Sequence, residues 1–143
     1  RSTRLPLIIT APGVTKENTR TSRPASFVDL FPTLNELCSL PQLDELEGTS
    51  LVPLLKDPNR PWERPALVTY LEGNHAVCSE RWRYIRYEDG SEELYDHRVD
   101  PDEWTNLASK PENEVTKKTL SELIPEKQHP GLKVQNWFDK YQN

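Results

Sequence analysis

The sequence predicts an α/β chain, α+β when taken by itself, and three observations carry that prediction. The run Leu5-Pro6-Leu7-Ile8-Ile9-Thr10 puts apolar side chains on both faces, as in a parallel-type strand buried on both sides. A helical pattern follows over residues 26–40. Four short strand candidates then fill residues 66–96, and a last helix pattern ends near Ile124. The organisation expected is the end of a larger α/β domain over 1–60 (strand, loop, helix), a small antiparallel subdomain with its helix over 61–124, and a C-terminal tail over 125–143.

The first strand stops at Ala11-Pro12-Gly13. A strand buried on both faces needs neighbours at each edge and helices above and below, and nothing else in the chain resembles it. An edge strand of a small sheet is the plainer reading. The sharper one, preferred here, places its partners upstream of Arg1. The absence of Met and the start at Arg1 support the same expectation of a longer parent protein.

Residues 14–25, polar and rich in Thr and Arg, form a loop. Ser26-Phe27-Val28-Asp29 has capping-box spacing. Phe27, Leu30, Leu34, Leu37 and Cys38 follow as a core-facing helical stripe, with Phe31 beside it. Pro32 clashes beyond a first turn, so the helix starts nearer Phe31 or kinks there. Leu40-Pro41 ends it. An acidic loop closes on Gly48-Thr49-Ser50, and Ser50 caps a short helical turn through Leu54 and Leu55.

Asp57 to Pro61 is turn material. The strand candidates Ala66–Leu71, His75–Ser79, Arg81–Tyr87 and Glu93–Asp96 are separated by Gly73-Asn74, Ser79-Glu80 and Glu88-Asp89-Gly90. Asp89-Gly90 is a strong hairpin signal, so the segment is an antiparallel meander. Ser109-Lys110-Pro111-Glu112 is a second capping box with Pro in the first turn. Its helix runs to Ile124 with Val115, Leu120, Leu123 and Ile124 as an apolar stripe, and Pro125 stops it. Leu132, Val134, Trp137, Phe138 and Tyr141 suggest a docking tail.

The chain has 143 residues, 34% hydrophobic, with 18 Lys+Arg against 23 Asp+Glu for a net charge of −5. The core is expected to be thin. Four Trp and five Tyr argue against wholesale disorder. The acidic balance disfavours a nucleic-acid partner. No apolar run reaches the roughly 18 residues of a membrane span, and no signal-peptide pattern is present. Neither a nucleic acid nor a membrane is expected as a partner. Cys38 and Cys78 read as buried small apolar side chains, with a disulfide between them the lesser reading. There is no Cys-x-x-Cys pair or His/Cys cluster for zinc.

No residue set makes a complete active site. The strained Gly-x-Ser-x-Gly turn, the P-loop and the dinucleotide glycine pattern are all missing from the sequence. The acid pairs Asp44/Glu45 and Glu92/Glu93 read as solvated. Arg81 to Tyr87 interleaves basic and aromatic residues. As a strand it puts Trp82, Tyr84 and Arg86 on one face and Arg81, Arg83, Ile85 and Tyr87 on the other. An ordinary sheet face, with Glu92 and Glu93 opposite the arginines, is favoured over a base-stacking platform. His75 follows Gly73-Asn74 at a loop-to-strand junction, where an imidazole can donate to an anionic ligand. Taken alone, it reads first as a structural histidine. His97 and His129 read as exposed.

Five segments in order resemble type I, formylglycine-dependent sulfatases of the alkaline-phosphatase-like superfamily, nearest to the bacterial iduronate-2-sulfatase-like group. They are Leu-Pro-Leu-Ile-Ile-Thr-Ala-Pro-Gly at 5–13, Ser-Phe-Val-Asp-Leu-Phe-Pro-Thr-Leu at 26–34, and Gly48-Thr49-Ser50-Leu51 with Leu54-Leu55. Ala76 to Ile85 is the fourth. Glu93-Leu94-Tyr95-Asp96 with Asp100-Pro101-Asp102-Glu103 and Asn106-Leu107 is the fifth. The resemblance covers residues 1 to about 124. It implies the C-terminal portion of a sulfatase, with one parallel-type strand and helix from the main sheet, then a four-stranded antiparallel sheet packed with a C-terminal helix. No Cys/Ser-x-Pro-Ser-Arg occurs here, and the family's metal ligands and last catalytic Lys belong upstream of the position matching Arg1. The resemblance therefore implies no catalytic residue, no metal ligand and no cofactor in this chain, while calcium and formylglycine are expected in the intact parent.

Cys78 stands where the family often has Arg, which leaves that role vacant. Loops of the meander lie beside the family's substrate cleft, so Asn74 and His75 are the candidate substrate-binding residues. The implied partners are the N-terminal catalytic part of the same protein and a sulfated carbohydrate substrate. The chain alone is expected to be inactive, and a periplasmic or secreted parent is expected. Two alternatives stand: a self-standing carbohydrate-binding or assembly module using the Trp82/Tyr84 face, and a fragment of a related phosphodiesterase or phosphonate hydrolase.

Overall fold

A computed structural model of the chain describes residues 5–126. A 3₁₀ turn, Phe27–Asp29, runs into α1 (Leu30–Leu37), and α2 (Val52–Lys56) follows. The strands are β1 (Ala66–Thr69), β2 (His75–Cys78), β3 (Trp82–Arg86) and β4 (Glu92–Asp96), and a second 3₁₀ turn, Pro111–Asn113, leads into α3 (Glu114–Ser121).

The strands form one antiparallel meander in the order β1-β2-β3-β4. Its register aligns Leu67, Val77, Tyr84 and Leu94 in a row across the sheet. Side chains alternate faces along a strand, so that row shares one face with Trp82. Leu120 and Ile124 from the α3 end cover it, with Ala108 and Leu107 alongside. Tyr84, Leu94 and Val77 are almost wholly buried, which makes this the core. Of the expected stripe on α3, Leu120 and Ile124 do face the core, while Val115 and Leu123 are exposed. Ser109 does not cap the helix: Lys110 takes the N-cap position, and its carbonyl accepts from Asn113 N.

The β3–β4 connection closes as the Asp89-Gly90 pair predicts. Gly90 sits at φ +83°, a left-handed conformation that suits glycine, and Tyr87 N donates to Ser91 O at 3.0 Å. The outer edge of β4 is capped by Asn106. Its Oδ1 accepts from Leu94 N at 3.0 Å, and its Nδ2 donates to Glu92 O at 3.1 Å. Leu107 N also donates to Leu94 O at 2.8 Å. These bonds give the Asn-Leu pair a physical reason: an edge strand needs its free peptide groups satisfied.

The strand expected over residues 5–10 has no partner among the described residues. Residues 5–10 form no strand here, and Leu5, Leu7 and Ile8 are exposed. A strand exists only through a partner, and the described residues provide none. Pro32 is the third residue of α1, within the first turn, so the helix tolerates it. The larger surprise is which face of α1 turns inward. Phe27, Phe31, Leu34 and Cys38 are exposed, while Asp29, Pro32, Thr33 and Asn35 are buried.

Hydrogen bonds explain the inversion. Asp29 accepts from Ser26 N at 2.8 Å and from Thr49 N at 2.9 Å, and Arg64 lies 3.5 Å away. Thr33 Oγ1 donates to Asp29 O at 2.5 Å and accepts from Leu51 N at 2.8 Å. Buried polar groups are stable only when paired, and these pairs hold the 48–51 segment against α1. The approach is close: a Cβ on Gly48 would lie 1.9 Å from Val28 O. Ser50 Oγ accepts from Val52 N at 3.2 Å, but Leu51 and not Ser50 holds the N-cap position of α2.

Cys38 is exposed and Cys78 half-buried, and both are free, so neither the buried pair nor the disulfide is found. The apolar tail and His129 fall outside the described residues.

Candidate functional site

Asn74 and His75 sit where β2 begins. Asn74 ties two turns together. Its Nδ2 donates to Glu72 O at 2.9 Å, and its Oδ1 accepts from Glu88 N at 3.4 Å. Tyr70 N closes the β1–β2 turn on Asn74 O at 3.0 Å. The two turns line an open hollow of about 440 Å³ with Asn74, Tyr87, Glu88, Asp89 and Ser91. Hydrogen bonds from Ser91, first its hydroxyl and then its amide, hold the Asp89 carboxyl below its usual range. The hollow is therefore anionic at neutral pH and poorly matched to sulfate.

His75 is not presented by a loop. It is 4% exposed on the core face, beside Thr69 of β1 and across from Arg86 of β3. Its Nδ1 lies 3.0 Å from Thr69 Oγ1. Its Nε2 is buried with no hydrogen-bond partner among the described residues. An unpaired buried nitrogen costs on the order of 1–3 kcal/mol, so it stands out on the core face of the sheet.

The Trp82/Tyr84 face is not a platform. Tyr84 is 1% exposed under α3, and its hydroxyl donates to Glu92. Glu92 also receives Lys117 Nζ at 2.9 Å. The Tyr84 hydrogen bond, with Lys117 second, holds the Glu92 carboxyl below its usual value.

The opposite face carries a polar network. Glu93 accepts the Tyr87 hydroxyl at 3.0 Å and the Tyr95 hydroxyl at 2.7 Å. Burial, and then Glu93, push the Tyr95 phenol up to about 12. Glu103 lies 2.8 Å from His97 Nε2 and 3.3 Å from Arg83 Nη1. Burial raises the Glu103 carboxyl, but His97 and Arg83 outweigh it and leave it below its usual value. Burial raises the Cys78 thiol, against the pull of Arg83 across the β2–β3 ladder.

Glu92 and Glu93 are therefore bonded groups and not a solvated pair, and His97 is half-buried on Glu103 rather than exposed. Strand alternation contains the signal for Glu93 beside Tyr87 and Tyr95. Glu103 arrives from a distant loop, for which the sequence holds no local sign. Among the described residues, no group of three or more His, Cys, Asp or Glu could hold a metal ion. None of their helices is long and apolar enough to cross a membrane.

Solved structures share this architecture. The structure of BT4656 in complex with its substrate D-glucosamine-2-N,6-O-disulfate superposes with a TM-score of 0.58 at 23% identity, over 66% of this chain and 22% of that one. The phosphonate monoester hydrolase of Agrobacterium radiobacter does so at 0.54 and 24% identity, over 66% and 23%. The meander with its covering helix is thus a fold shared with part of each of these larger chains.

Sequence narrows the class. The family model described as N-sulphoglucosamine sulphohydrolase, C-terminal, matches residues 1–130, and the chain belongs to that sulfatase family. A sulfatase of Formosa agariphila is 35% identical over 124 residues, 87% of this chain. The chain spans only 24% of that relative's length.

Proposed function

We propose that the chain completes an enzyme that hydrolyses sulfate esters of sulfated sugars, and that the β1–β2 turn with Asn74 and His75 borders its substrate cleft. The family match across residues 1–130 carries the first part. The unpaired, buried Nε2 of His75 supports the second, because it can hydrogen-bond a group that the described residues do not supply. Asn74 serves the same end by fixing the turn. Formylglycine and calcium belong, on this reading, to the upstream part. The described residues offer calcium no ligand set, and no step is assigned to either group in this chain.

The phosphonate hydrolase alternative shares the fold, but the curated sulfatase relative at 35% identity weighs against it. The stand-alone sugar-binding module loses its platform with the burial of Tyr84. The full-length protein is the material for the test, assayed on a sulfated disaccharide and on a phosphonate monoester. Turnover of the first and not the second is expected. His75→Ala should lower kcat/KM with the fold intact, and His75→Gln should recover part of the loss. Unchanged kinetics in His75→Ala would remove the histidine from the reading.

A further inference from the structure

We propose that Tyr70, on the β1–β2 turn, is a sugar-binding residue: its ring stacks on an uncharged sugar next to the sulfated one, so the substrate is a disaccharide or a longer chain. This rests on the reading of the same turn as a border of the substrate cleft. Tyr70 is 73% exposed and Leu71 60%, although both directly follow the apolar strand Ala66–Thr69. Leu71 stands at φ +57°. A bulky side chain holds that left-handed conformation only under constraint from its surroundings, and such residues gather at active sites and ligand clamps.

Four contacts supply the constraint. Tyr70 N donates to Asn74 O at 3.0 Å, and Asn74 Nδ2 donates to Glu72 O at 2.9 Å. Asn74 Oδ1 accepts from Glu88 N at 3.4 Å. Gly73 packs so tightly on the β3–β4 turn that an added Cβ would lie 2.8 Å from Glu88 Cβ. None of these contacts uses the side chain of Tyr70 or Leu71, so the turn is stiff and presents both to solvent. A tyrosine so held offers a broad apolar face with a hydroxyl at its rim, at little cost in conformational freedom. The C–H face of a pyranose ring, with hydroxyls around it, is the matching surface. Charge selects the sugar. The exposed Glu88 and Asp89 line the adjoining hollow with Asn74 and Tyr87. They repel a second sulfate or a uronate carboxylate from this side, which leaves a neutral hexose as the stacked sugar.

The test uses the full-length protein and three substrates that share one O-sulfated hexosamine: the monosaccharide, its disaccharide with galactose and its disaccharide with glucuronate. The galactose disaccharide should have the highest kcat/KM. Tyr70→Ala should lower that value about tenfold, through KM, and leave the monosaccharide within about twofold. Tyr70→Phe should keep most of the activity, because it keeps the ring. Trp104→Ala, on a residue that is 80% exposed, should change none of the three. Should Tyr70→Ala fail to fold, the wild-type ranking of the three substrates still decides.

Equal losses on the monosaccharide and the galactose disaccharide would overturn the proposal, and so would no loss on either. A wild-type preference for the monosaccharide or for the glucuronate neighbour would overturn it as well. Calorimetric binding of the galactose disaccharide separates this proposal from the sulfatase reading. Binding that weakens about tenfold in Tyr70→Ala, in a protein that turns over none of the three, supports the stacking residue and counts against the sulfatase reading. Turnover that does not depend on Tyr70 does the reverse, and neither binding nor turnover overturns both.

Discussion

Tyr84 and Leu94 in the sheet are 1% and 0% exposed, whereas Phe31 and Leu34 on α1 are 52% and 59% exposed. The core face of the sheet buries mainly apolar side chains, with His75 and Asp96 as buried polar members of the strands. The α1 segment does the reverse, burying Asp29 and Thr33 and showing its apolar stripe. Burial of apolar area is the main force of folding, so the sheet with α3 holds itself together. The α1 segment adds directional bonds to residues 49 and 51, beside the buried Leu51, Val52 and Leu54. Two kinds of stability sit in one chain, and they respond to different substitutions.

The sharpest way to break this contrast is a pair of truncations. Leu94→Ala should destabilise the chain by about 2–5 kcal/mol, the cost of removing a fully buried leucine. Leu34→Ala should cost less than about 0.5 kcal/mol in the 143-residue chain. Urea unfolding of both variants measures the difference, and equal losses would erase the distinction. Asp29→Ala comes next, at about 2–3 kcal/mol, because it leaves the amides of Ser26 and Thr49 unpaired. Gly48→Ala, which forces a Cβ against Val28 O, should cost about 1–3 kcal/mol. Both should loosen α1 in hydrogen exchange and leave β3 protected.

Acid should produce the smallest and most gradual effect, and on the sheet side. The Asp96 carboxyl is held below its usual value by Arg81, and the Glu92 carboxyl by Tyr84 and Lys117. A carboxylate with a depressed folded pKa adds stability that is complete above its unfolded value, near pH 4, and is lost as pH falls through the folded value. The urea midpoint should therefore drop as pH is lowered from about 6 to about 3. Asp96→Asn should flatten part of that dependence, and an unaltered slope would deny Asp96 the role.

The meander was visible in the sequence because its signals are local. Asp89-Gly90 sets a turn, and Val77, Tyr84 and Leu94 lie in short apolar and aromatic runs between turn residues. The stripe on α1 was visible too, but its direction was not. Phe27, Phe31 and Leu34 have the spacing of a buried face, and only the long-range bonds from Thr49 and Leu51 decide that Asp29 and Thr33 go inside. The candidate site was legible only in part. Gly73-Asn74-His75 marked a turn, while the burial of His75 depends also on β3 packed alongside it, which no short window around residue 75 contains.

The bonds that fix α1 also bear on the cost of association. A helix ordered only on binding would lose its conformational freedom at that moment and weaken the union accordingly. Here Asp29 and Thr33 hold α1 without help from Phe31 or Leu34. Its ordering entropy is lost before any surface arrives, so covering the stripe contributes to affinity with little conformational penalty.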